Sequence, residues 1–157
     1  MGLISFRSSQ NISKVKSEVE KRKRNSGLPI AILRYCNNGQ LKAIEVTLPI
    51  RTISPNVSEH WTKKHKRQKK EKRWLWIALL EKRHLLRLPC KVTFIRYGKR
   101  ELDQEDNLPM SIKFLKDQVA ELLTGLPNGR GDSNKEIIWI YKQEKAKTYS
   151  LKIILEF

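Results

Sequence analysis

Eight of the eleven residues from Lys63 to Arg73 are Lys or Arg, and a run so densely charged must face water or an anion rather than a core. Apolar residues follow it at helical spacing, with Trp74, Ile77, Ala78 and Leu80 close behind, so the spacing predicts one long helix from a cap near Ser58 to about His84. On that reading every helical face carries positive charge, and Trp61, Trp74, Ile77, Ala78 and Leu80 lie on or near the packed side. Like charges this close repel one another until an anion neutralises them. Lys63, Lys64, Lys66, Arg67, Lys69, Lys70, Lys72 and Arg73 are therefore candidate phosphate contacts, against the plainer alternative of a solvated helix face.

The rest of the charge is unevenly placed. Residues 1–100 carry 25 Lys or Arg against 6 acids, all Glu, whereas residues 101–157 carry 8 against 10, and the chain's net charge is +17. All four aspartates, Asp103, Asp106, Asp117 and Asp132, fall in the mildly acidic final third. A protein that only coats nucleic acid has no need of this segregation. One that grips phosphate in one region and concentrates hard oxygen ligands for a divalent cation in another does.

With 157 residues and 39% apolar content, one core is expected over residues 29–157, preceded by a loose basic arm over residues 1–28 in which Ser17 to Arg24 is helix-compatible without an apolar face. No run is long and apolar enough for a membrane helix, and the start lacks the apolar stretch of a secretory signal, so a cytoplasmic protein without membrane partners is expected. Cys36 and Cys90 show no ligand spacing and read as reduced, partly buried thiols. Glycine patterns for a nucleotide cofactor are absent.

Strands are predicted at Pro29 to Tyr35 and Leu41 to Leu48 about an Asn37-Asn38-Gly39 turn, at Lys91 to Tyr97, at Glu136 to Tyr141 and at Thr148 to Phe157. A second helix is predicted over Leu108 to Leu123, with Ile112, Leu115, Val119, Leu122 and Leu123 at helical spacing and Pro109 tolerated in its first turn. The sum is an α+β fold, a mixed sheet with two helices packed on it.

Asp103, Glu105 and Asp106 crowd the boundary between a strand and this second helix. Such a cluster asks for a cation, or else is a helix start with Asp106 as its cap. Asp132, in the loop Gly129-Arg130-Gly131-Asp132 before a strand, reads locally as a turn residue.

Taken together, Asp103, the run Asp106-Asn107-Leu108, Lys113 with Asp117 four residues on, and Asp132 before Trp139 resemble the RusA family of crossover junction endodeoxyribonucleases. Leu48-Pro49, Ser54-Pro55-Asn56 and His60-Trp61 are similar to that family's opening strand, loop and first helix, so the likeness covers about residues 42–157. The resemblance implies a Mg2+-dependent nuclease, with Mn2+ as a substitute, that resolves four-way DNA junctions by paired symmetric nicks. It implies Asp106, Asp132 and Asp103 as metal ligands and Lys113 as the lysine facing the scissile phosphate, with Asn107 and Asp117 in support. The family usually separates its first two aspartates by one residue. Here Gln104 and Glu105 intervene, which asks for a backbone bulge at Asp103 or for Glu105 in its place. Like-polarity cuts in two strands need two sites, hence a homodimer. The rival readings are a non-catalytic nucleic-acid-binding protein, in which the acidic loop only caps a helix, and an RNA-associated basic protein.

Overall fold

The computed structural model describes residues 27–157 other than Pro55, Asn128 and Gly129. The expected arm, residues 1–28, lies outside the described residues apart from Gly27 and Leu28. The elements in chain order are β1 (Ile30–Tyr35), β2 (Leu41–Leu48), α1 (Trp61–Leu79), a 3-10 turn (Leu80–Leu85), β3 (Cys90–Gly98), α2 (Asn107–Thr124), β4 (Ile137–Lys145) and β5 (Ser150–Glu156).

The first hairpin forms where the turn signal predicts it. Gly39 takes φ 79°, a conformation open to glycine at little cost, and its amide donates to the Cys36 carbonyl at 3.0 Å. Beyond the hairpin the sheet departs from sequence order and runs β1-β2-β5-β3-β4. All neighbours are antiparallel except β3 and β4, which are parallel. Although β4 and β5 follow one another in the chain, they do not pair; β5 inserts between β2 and β3.

The register lines up apolar side chains across the sheet. Leu33, Ile44, Leu155, Val92 and Trp139 form one row, and Ala31, Val46, Ile153, Phe94 and Tyr141 the next. Alternation sends these side chains to one face, where they join Leu75 and Leu79 of α1 and Leu108, Ile112, Leu115 and Val119 of α2 in a single core. Polar partners mark the other face, where Glu45 lies between Arg34 and Lys152 and Lys91 meets Glu156 at 2.9 Å. The result is the expected α+β architecture of a mixed five-stranded sheet and two helices. No helix among the described residues is long and apolar enough to cross a membrane.

Helix α2 buries the residues its periodicity selects, Ile112, Leu115 and Val119, with Leu122 and Leu123 half-buried. Helix α1 differs from expectation. Its buried stripe is Glu71, Leu75, Ala78 and Leu79, while Trp61, Ile77 and Leu80 are exposed and Trp74 is half-buried. A stripe through positions 71, 75 and 78–79 leaves position 77 off the core side. The chain then tightens into a 3-10 turn at Leu80 instead of continuing as α-helix to His84. The start is His60 rather than Ser58, with no side-chain capping bond. The residue just before it, Glu59, reaches forward to Arg67 instead. Of the two cysteines, Cys90 is buried and Cys36 is exposed, not partly buried; burial pushes the Cys90 thiol up to about 12.

Phe94 is fully buried and lies flat against both Trp139 (6.0 Å between centroids, 15° between planes) and Tyr141 (5.7 Å, 10°). Phe94→Ala is expected to lower stability by about 3–5 kcal/mol in urea unfolding. A loss below about 1 kcal/mol would show that this stack is not a main support of the core.

Candidate functional site

Because β3 and β4 are parallel, the chain between them must cross the sheet face, and α2 is that crossover. The acidic loop leads into its first turn, and the Asp132 loop returns from its last.

The acidic loop is tied down from three sides. Arg96, buried at 4% exposure, donates from Nη1 to the Arg100 carbonyl at 2.7 Å and from Nε to Thr52 Oγ1 at 2.9 Å. Gln143 on β4 exchanges hydrogen bonds with the Leu102 backbone (2.9 and 2.7 Å), and Gln104 Nε2 donates to the Tyr141 carbonyl at 3.0 Å. Asp103 Oδ1 accepts from the amides of both Glu105 and Asp106 at 3.0 Å. The longer spacing between the two aspartates is thus taken up by a turn closed on Asp103 itself. Asp106 occupies the N-cap position but makes no capping bond, so the cap expected of it is not formed. Both Asp106 and Glu105 are exposed. Asn107 Oδ1 accepts from Asn56 Nδ2 at 3.1 Å and lies 3.4 Å from Ser54 Oγ, joining the loop before α1 to the start of α2.

Asp132 is held from the other end of α2. Gly125 closes that helix at φ 72°, a left-handed cap natural to glycine. Gly131 then lies so close to α2 that a Cβ there would run into Thr124 Oγ1 and the Ala120 carbonyl. This close approach brings Asp132 alongside the helix. The Trp139 indole donates to its carbonyl at 2.9 Å, and Lys116 Nζ reaches its Oδ2 at 3.2 Å while lying 5.2 Å from the Trp139 ring centre.

Asp117, on the same helix, feels Asp132 directly. Burial is the larger cause holding its carboxyl above the usual carboxylate range, and the Asp132 charge adds to it; Lys113, Lys116 and Lys72 pull the other way. Tyr141 is pushed up to about 12 by burial, reinforced by Asp132 and Asp117. A carboxyl held up in part by the charge of a second carboxylate, with lysines around it, belongs to the kind of donor pair whose repulsion a hard divalent cation relieves. The Asp117–Asp132 pair therefore fits such an ion in its chemistry. The expected trio of Asp103, Asp106 and Asp132 is a different matter: no group of three His, Cys, Asp or Glu able to hold a metal forms among the described residues.

Lys63, Lys64, Lys66, Lys69, Lys70, Lys72 and Arg73 of α1 are all exposed, as a phosphate-facing rod requires. Arg67 is the exception and corrects the sequence reading. It turns inward to Glu59 at 3.0 Å and Glu71 at 3.2 Å. Burial works against its charge, but the two carboxylates outweigh that and raise its pKa. Glu71 is raised by its own burial, with Arg67 opposing. Arg67 therefore fixes α1 to the preceding loop, its charge already paired with Glu59 and Glu71. Neither Lys116 nor Tyr141 stands out in the sequence as a site residue. The one local signal was the Lys113, Lys116, Asp117 spacing, which shares a helix face. No protein-family model and no curated protein sequence matches this chain.

The raised Asp117 carboxyl costs stability wherever the unfolded chain ionises it more readily than the native protein does. That cost is absent below the ordinary carboxylate range, grows between it and the native value, and is complete above. Asp117→Asn is expected to raise the melting temperature at pH 7 and leave it nearly unchanged at pH 3. Asp132→Asn should move the Asp117 titration down in carboxyl-carbon NMR. An unmoved titration would separate the two groups.

Proposed function

We propose that this protein is a metal-dependent nuclease acting on branched DNA, a junction-resolving enzyme of the RusA type. The observation that supports it most is the Asp117–Asp132 pair, with Lys116 Nζ on Asp132 at 3.2 Å and the charges of Lys113, Lys116 and Lys72 acting on Asp117, beside a helix with seven exposed cations. Of the ligands expected from the sequence, Asp132 is retained, while Asp106 stays at the N-cap of α2, eleven residues before Asp117, and is left out of the pair. Asp117 takes the place of Asp103, whose Oδ1 already serves its own turn. Mg2+, or Mn2+ in its stead, supplies when bound there positive charge for the phosphate oxygens and acidity for water.

The chain's own groups do the rest. The α1 cations hold the backbone of the DNA through phosphates, a sequence-independent attraction. Lys113 sets its ammonium against the scissile phosphate and offsets charge developing on its oxygens. Lys116 holds Asp132 and is itself steadied by Trp139. Two like-polarity cuts in one junction need a twofold dimer, each subunit contributing one site.

One observation favours the alternative of a non-catalytic binding protein: Asp103 is a turn-closing residue, as a purely structural acidic loop requires. Cleavage of a synthetic four-way junction, beside matched duplex and with or without Mg2+, separates the two. Paired symmetric nicks that require the metal are expected, with Asp132→Asn and Lys113→Ala each slowing them by roughly 100-fold or more. Tight binding without nicks in either metal would leave only the binding protein.

The rod has its own test. Replacing Lys66, Lys69 and Lys70 together with Gln is expected to flatten the slope of log K against log salt by roughly 2–3. An unchanged slope would place the phosphates elsewhere.

A further inference from the structure

Between the first turns of α1 and α2 lies a cavity of about 300 Å³ whose apolar wall and fixed carboxylate the proposed cleavage chemistry leaves unused. Its apolar wall is Val57, Met110 and Phe114, and the first two are about half exposed even though they are large and apolar. Its rim is cationic. Lys64 Nζ stands 6.0 Å from the Phe114 ring centre, and Lys113 lines the same opening. Its polar side is Glu59, whose Oε2 accepts from both Nη2 and Nε of Arg67, so the carboxylate is held in a fixed position.

An aromatic wall, a fixed acceptor and flanking ammonium groups form an amphipathic slot with an anion-attracting mouth. The chemistry that matches it is a flat heterocycle carrying N–H donors and attached to phosphate. The slot also has a definite relation to the carboxylates, because Lys113 is four residues, one helical turn, before Asp117. A strand whose phosphate lay against Lys113 would present its adjoining base to Phe114.

We infer that this cavity is a nucleotide subsite that takes one unstacked base from the exchange point of a branched DNA, with Phe114 as the stacking surface and Glu59 as the acceptor. The inference rests on the reading of the chain as a DNA-acting protein. Branched DNA favours such capture, because a base at or near the crossing of strands costs less to unstack than one inside a continuous duplex. Stacking on Phe114 tolerates any base, and Glu59 rewards those that offer an N–H.

The test uses the full chain in EDTA, so that binding is read without cleavage. Four-way junctions carry a single 2-aminopurine at successive positions around the exchange point, and its fluorescence rises when the base leaves the stack. A rise of several-fold is expected at one position with the wild-type chain. It should be lost with Phe114→Ala, which is also expected to weaken binding about tenfold. Met110→Glu, at a half-exposed position that tolerates a polar side chain, should abolish the rise by placing a carboxylate in the mouth. A bound wild-type chain that gives no rise at any position, or a rise that survives both variants, overturns the subsite. Nicking in Mg2+ without a rise removes the subsite and keeps the nuclease. A rise lost in both variants on a junction never nicked keeps the subsite and removes the nuclease. A chain that binds no junction removes both.

Discussion

The parallel pairing of β3 with β4 is the constraint on which the rest of the molecule depends. Parallel neighbours cannot be joined by a tight turn, so the chain between them has to cross the sheet, and an amphipathic helix is the cheapest way to do so. That crossover is α2, and its apolar stripe of Leu108, Ile112, Leu115 and Val119 closes the core over the inner face of the sheet. Its polar side is left to carry Lys113, Lys116 and Asp117. Core and candidate site are thus two faces of one helix.

The same constraint decides which carboxylates meet. A helix of 18 residues is about 27 Å long, and the two aspartate loops join its opposite ends. Asp103 and Asp106 stay with the first turn, where Gln143, Gln104 and Arg96 anchor their loop to β4 and the neighbouring chain. Asp132 is brought back along the helix because Gly131 permits close approach and Trp139 holds its carbonyl. It meets Lys116 and the field of Asp117 midway. The aromatic layer of Phe94, Trp139 and Tyr141 therefore links core stability to the position of a carboxylate.

Helix α1 divides its charges by function in the same way. Seven cations face outward, and the eighth, Arg67, is drawn between Glu59 and Glu71 to fix the helix against its own preceding loop. A half-buried guanidinium left without those carboxylates would be costly, so the inward pair is a coupled structural unit. It also sets Glu59 at the wall of the cavity between the two helices. One ion-pair cluster thus both anchors α1 and shapes the groove beside Lys113.

The sequence by itself determined the element types, because local periodicity and turn chemistry encode them. The Asn37-Asn38-Gly39 hairpin, the strand Leu41–Leu48 and the α2 stripe through Ile112, Leu115 and Val119 all lie where alternation or helical spacing put them. It also determined the division between a cation-rich first part and an aspartate-bearing last third. Only the tertiary structure decided that β5 inserts between β2 and β3, that Trp61 faces water, that Arg67 turns inward and that Asp117 lies in the field of Asp132. These outcomes depend on pairings between residues distant in the chain. The physical reason is that a side chain's spacing fixes which face of its own element it occupies, whereas its partner is fixed by which elements the crossovers bring together.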